Sequence, residues 1–137
     1  MNDTIMTLAV KKRIIYWIPL TAIGFINGTI RVVLFEKLFS DDAARQISSL
    51  LLIILIAIYS AIVFRKLEIS NYSSAWQTGF VWMILTVVFE FALGFMLNTS
   101  INTMLAEYNL LEGKLWPLVL VAILLIPPWY FKVKDKG

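Results

Sequence analysis

Four apolar runs separated by short polar segments constrain this chain more than any other feature of its sequence. A hydrocarbon core of about 30 Å is crossed by roughly 20 apolar residues in a helix, and a spanning backbone must satisfy all its own N–H and C=O groups. The runs lie at about residues 14–35, 47–64, 75–97 and 116–131. Only 15% of the residues are charged, against roughly 25% in a soluble domain, so the runs belong to a membrane protein rather than to a water-soluble core. The fold class is therefore all-α, a four-helix transmembrane bundle forming a single domain over residues 1–137, with the lipid bilayer as its solvent.

The ends of the runs carry local signals. Lys11, Lys12 and Arg13 precede the first run, as in a signal peptide. No small-residue cleavage site follows and the run is too long, so it reads as a retained span. Ser40 caps the second helix, with Asp41 and Asp42 in its first turn, where acidic groups favour the helix dipole. Pro117 suits the first turn of the fourth helix, and Pro127-Pro128 is expected to kink or end it. From Trp116 to Tyr130 that helix would rise only about 21 Å, short for a membrane. Between the third and fourth runs, Ile101, Met104, Leu105, Tyr108 and Leu111 recur at helical spacing. Ser100 caps that segment and Gly113 ends it, which predicts a short outer amphipathic helix.

Orientation follows from lysine and arginine. With both termini cytoplasmic, the inner side holds Lys11, Lys12, Arg13, Arg65, Lys66, Lys132, Lys134 and Lys136. The other side holds Lys37, Arg45 and Lys114, with Arg31 just inside the membrane. The basic residues thus mark span ends and topology, not a nucleic-acid surface.

Within the apolar runs, Glu90 is the exception. It lies inside Val87-Val88-Phe89-Glu90-Phe91-Ala92-Leu93, and an ionisable residue at membrane depth is a functional-site hypothesis that requires a partner. Arg31 is the candidate. Measured from the start of each run, Arg31 lies about 25 Å and Glu90 about 21 Å along a helix, placing both in the outer third of the core. Thr21, Gly24, Asn27, Gly28 and Arg31 share one stripe, and Gly79, Met83, Thr86, Glu90 and Gly94 share another. The first and third spans are expected to meet through these stripes, or to face a shared cavity. The predicted polar centre is Arg31 and Glu90, supported by Asn27 and Thr86, with Glu107, Tyr108 and Asn109 as an outer lid or the polar face of an interfacial helix. Two bland readings stand beside it. The pair can be a lock that aligns helices and carries nothing, and Arg31 can snorkel to the interface. Gly24 and Gly28 make a G-x-x-x-G spacing, which serves intramolecular packing or a dimer seam.

The chain has neither cysteine nor histidine, which removes disulfides, thiolate nucleophiles, Cys/His metal sites and imidazole acid–base chemistry. No nucleophile elbow, phosphate loop or metal-ligand cluster is present in the sequence, so catalytic residues, metals and cofactors are all expected to be none.

Two stretches, Glu90-Phe91-Ala92-Leu93-Gly94 and Tyr108-Asn109-Leu110-Leu111-Glu112-Gly113-Lys114-Leu115-Trp116-Pro117, resemble a group of uncharacterised small bacterial membrane proteins with four spans. Asn27-Gly28 followed by Arg31 also fits, and Lys114 departs from the arginine usual there. The resemblance implies a bacterial inner-membrane protein and carries no function. Size and span count match small multidrug transporters and fluoride channels as well. However, Glu90 stands in the third span rather than the first, and Val81-Trp82-Met83-Ile84-Leu85-Thr86 lacks a fluoride channel's phenylalanine- and threonine-rich break. Two function classes remain. One is a transporter or channel for a small ion or solute, expected to form homo-oligomers because four short helices enclose little volume. The other is a non-transporting accessory or scaffold subunit that binds another membrane protein.

Overall fold

The computed structural model describes residues 2–67, 69 and 71–136. Its elements are α1 (Asn2–Ile30), a π-helical turn (Arg31–Phe35) running into α2 (Glu36–Leu38), α3 (Asp41–Leu67), α4 (Tyr72–Met96), α5 (Ile101–Ala106), a 3-10 turn (Leu110–Glu112) and α6 (Trp116–Lys136). Among the described residues there is no strand, and four helices are long and apolar enough to cross a membrane. They pack in the cyclic order α1–α3–α6–α4, with α4–α6 the most extensive interface of the ring and α1–α4 the thinnest.

Side chains at every fourth position build the core of α3. Ala44, Ser48, Leu52, Ile56, Ser60 and Phe64 are all buried and form one row along the helix. Leu52, Ile56 and Phe64 join Trp82 of α4 and Val119, Leu120 and Ile123 of α6 in a single cluster. Trp82 is completely buried, its ring 5.9 Å from that of Phe64. Its indole N–H donates to the Arg13 carbonyl at 2.9 Å, satisfying the polar edge of an otherwise apolar residue. The opposite faces of the helices are apolar and exposed. Ile18, Ile26, Ile54, Ile58, Ile84 and Val88 are examples, as expected where lipid replaces water.

Helix boundaries follow local chemistry. The Ser40 hydroxyl accepts the Ala43 N–H at 3.2 Å, as its sequence position predicts. Asn71 caps α4 by accepting from the Ser74 N–H at 2.7 Å. At the other end of α4, Asn98 adopts φ 59°. The Thr99 N–H then reaches the Gly94 carbonyl at 2.8 Å and the Asn98 N–H reaches Phe95 at 3.1 Å, a Schellman closure.

Three expectations are revised. First, α6 does not end at the proline pair. It runs for 21 residues, about 30 Å, with Pro127 and Pro128 inside it, so the fourth helix is not short. Pro128 has no N–H for the Leu124 carbonyl and its ring crowds that oxygen. The freed carbonyl points at α4, where a Cβ on Gly79 would lie 2.2 Å from it. Second, the segment after α4 is not one amphipathic helix. It breaks at Glu107–Asn109 into α5 and the 3-10 turn. Met104 is buried while Leu111 is 98% exposed, so the apolar stripe does not form one face. Third, the small residues of α4 do not face α1. Gly79 meets α6, and Gly94 meets Met104, whose sulfur would be 2.2 Å from an added Cβ.

Candidate functional site

In the half of the bundle away from the termini, the four long helices surround a cavity of about 580 Å³. Side-chain links hold α1 to α4 on the terminal side of this cavity, and Phe25 of α1 meets Phe89 of α4 at its wall, ring centroids 6.3 Å apart. Near the termini, the Arg13 guanidinium of α1 donates to Thr78 and Ser74 of α4, both at 3.1 Å. One turn further, the Trp17 indole N–H donates to the Thr86 hydroxyl at 3.0 Å, and Thr86 donates onward to the Trp82 carbonyl at 2.7 Å. Beyond these links, nothing lies within 4 Å of a Cβ built on Gly24. The stripe predicted on α1 is therefore real, but Gly24 and Gly28 line open space rather than a tight helix contact.

Arg31, Glu90, Asn27 and Thr86 all line this cavity, as does Glu107. The structure brings the predicted centre to one place but does not pair it. Among the described residues Arg31 makes no ion pair with Glu90, and its Nε is buried without a hydrogen-bond partner. The guanidinium folds back over Gly28, with Nη2 4.0 Å from the position of an added Cβ. A π-helical turn, Arg31–Phe35, begins at this residue.

Glu90 has other partners. Its Oε2 accepts the Tyr108 hydroxyl at 2.8 Å and the Trp116 indole N–H at 2.9 Å. These two donors bracket the connecting segment between α5 and α6. One carboxylate oxygen thus pins both ends of that segment to α4. The Tyr108 ring also stacks on Phe91 with centroids 6.3 Å apart. Burial pushes the Tyr108 phenol up to about 12, and the bond to Glu90 adds to the rise, so at neutral pH it keeps the proton it donates to Glu90.

The same segment forms a roof over the cavity. Arg45 of α3 holds Glu107 at 2.6 Å, and the Gln46 amide donates to the Gly113 carbonyl at 3.3 Å. Gly113 adopts φ 82° and a Cβ there would meet Gln46 at 2.8 Å, so conformation and space both favour glycine. Of the three lid residues, Glu107 reaches α3 and Tyr108 reaches Glu90. Asn109 turns back on its own segment, accepting the Leu111 N–H at 3.2 Å.

Asn27 bridges α1 to α3. Its amide nitrogen donates to the Ser48 hydroxyl at 2.7 Å and the Ser48 carbonyl at 3.0 Å. A carbonyl only accepts, so the NH2 must face Ser48 and Oδ1 is turned the other way. That oxygen is buried without a partner among the described residues.

Several contributors escaped the sequence reading. Arg13 appears there as a topology signal, yet it is 8% exposed and ties α1 to α4. Trp116, at the start of the fourth helix, binds Glu90. Lys114 lines the cavity and, among the described residues, its ammonium has no partner. Lys114 and Trp116 share one signal, since both lie within the Tyr108–Pro117 stretch.

No protein-family model matches the chain, and no curated protein and no solved structure shows a significant similarity to it. The fold and cavity define its class. The chain is all-helical, with four helices compatible with a multi-pass membrane protein.

Proposed function

We propose that this chain is a small carrier of a bacterial inner membrane, with both termini cytoplasmic, that binds a small solute in the cavity below its roof segment. One observation carries the reading. A cavity of about 580 Å³ lies within the spanning part of a single chain, lined by Arg31, Asn27, Thr86 and Glu90. Pockets of this size with apolar walls and a few placed polar groups are the usual form of small-molecule sites. The reading needs no catalysis and no cofactor. It also needs no second copy to line the cavity, since one chain supplies every lining residue. Homo-oligomers, or pairing with another membrane protein, would use the exposed apolar faces of α1 and α4. Glu107, Tyr108 and Asn109 belong to the roof in this reading, with Glu90 as its anchor and not as the partner of Arg31.

The chain has no cysteine, so Gly24→Cys introduces a single thiol at a position with open space around it. In proteoliposomes of uniform orientation, a carrier must expose this thiol to a membrane-impermeant reagent from each side in turn. Labelling from one side only supports the scaffold reading instead. Labelling from neither side sinks both the cavity and the carrier.

A further inference from the structure

The cavity separates its chemistry by depth. Its floor is apolar, formed by Leu20, Leu52, Ile56, Phe89, Val119 and Ile123. Its charged groups gather at the roof end. Among these, Arg45 is neutralised by Glu107 at 2.6 Å. Oε2 of Glu90 is filled by two neutral donors. Arg31 and Lys114 have no ion-pair partner among the described residues, and set against the Glu90 carboxylate they leave the lining with one surplus positive charge. Buried polar groups are seldom left unmade, and an orphaned donor costs about 1–3 kcal/mol. Arg31 Nε is such a donor, on a side chain that lines the cavity.

Size and charge together narrow the occupant. An inorganic anion would satisfy Arg31 and Lys114 but leave the apolar floor unfilled. A neutral apolar molecule would fill the floor but leave the cations unpaired. A cation is opposed by the surplus of positive charge. Resting on the carrier reading above, we infer that the cavity takes an amphiphilic organic anion. Its acidic head lies between Arg31 and Lys114, and its apolar body lies on the floor. Such a molecule has two sources, a free amphiphilic acid or an anionic lipid of the bilayer itself.

Protection of the Gly24→Cys thiol reads occupancy directly. In phosphatidylcholine vesicles, β-hydroxydecanoate is expected to slow labelling at concentrations where its methyl ester, decylamine and β-hydroxybutyrate do not. These three remove, in turn, the charge, the sign of the charge and the apolar body. Arg31→Gln and Lys114→Gln should each raise the concentration needed for protection by about tenfold or more, the range expected for losing a charge-assisted hydrogen bond. Lys114 lies in the connecting segment, so its variant reports even if Arg31→Gln fails to fold. Protection without added acid in vesicles containing phosphatidylglycerol assigns the bilayer lipid as the source. Protection only by the added acid assigns a free solute. Equal protection by the methyl ester, or protection by decylamine, overturns the inference. A thiol that labels normally but that no anion protects also overturns it while leaving the carrier reading standing. A thiol that never labels removes both.

Discussion

Tyr108 and Trp116 share a single acceptor, Oε2 of Glu90, at 2.8 and 2.9 Å. The Tyr108 hydroxyl is therefore half of the fastening that holds the roof segment to α4. A hydrogen bond to a charged group contributes about 1.5–3 kcal/mol when intact. Tyr108→Phe keeps the ring on Phe91 and removes only the donor. It should destabilise the protein by about 1.5–3 kcal/mol. Glu90→Leu removes the acceptor of both donors and should cost more, and the double variant less than the sum, because the Tyr108–Glu90 bond is lost in each single variant. Thermal unfolding in detergent checks this. Strict additivity would mean that the two side chains do not interact.

Tyr108 also sets a pH limit. Its phenol titrates at about 12 rather than 10.0, raised first by burial and then by Glu90. Because the folded value is the higher one, the stabilisation is fully present below pH 10 and is lost as pH rises through about 12. Phenolate absorbance of wild type and Tyr108→Phe should differ by one group with a midpoint near 12. A missing component centred near 10 would show that Tyr108 is neither buried nor bonded.

Gly79 and Leu124 couple α4 to α6 through the backbone. The Leu124 carbonyl lacks its partner because Pro128 has no N–H, and a Cβ on Gly79 would lie 2.2 Å from it. Gly79→Ala should destabilise by about 1–3 kcal/mol or more, since backbone cannot step aside as a flexible side chain does. Pro128→Ala restores a donor for Leu124 and draws the carbonyl back along its own helix. The double variant should therefore be more stable than the sum of the single effects predicts. Two effects that simply add would break the proposed link between the proline and the glycine.

The span count, the caps at Ser40 and Ser100 and the turn at Gly113 were all legible in one dimension. Each depends on local chemistry or on hydrophobic period, and those are properties of neighbouring residues. The pairing was not legible. Rise per residue placed Arg31 and Glu90 at similar depth, but depth says nothing about azimuth. Arg31 folds back over Gly28 on one side, and Tyr108 and Trp116 supply donors to Glu90 on the other. Arg13 shows the same limit. Three basic residues in a row read as a topology signal, and only the packing of α1 on α4 shows that one of them is buried against Thr78.

The sequence by itself determined that four helices form, roughly where they start and stop, and which stretches are too apolar for water, because these follow from backbone satisfaction and transfer free energy. The tertiary structure decided who meets whom. The ring order α1–α3–α6–α4 gives Glu90 to the roof, leaves Arg31 facing an open volume, and sets Gly79 against a carbonyl that a proline released. Those outcomes depend on helix rotation and on contacts between residues far apart in the chain, which no local pattern encodes.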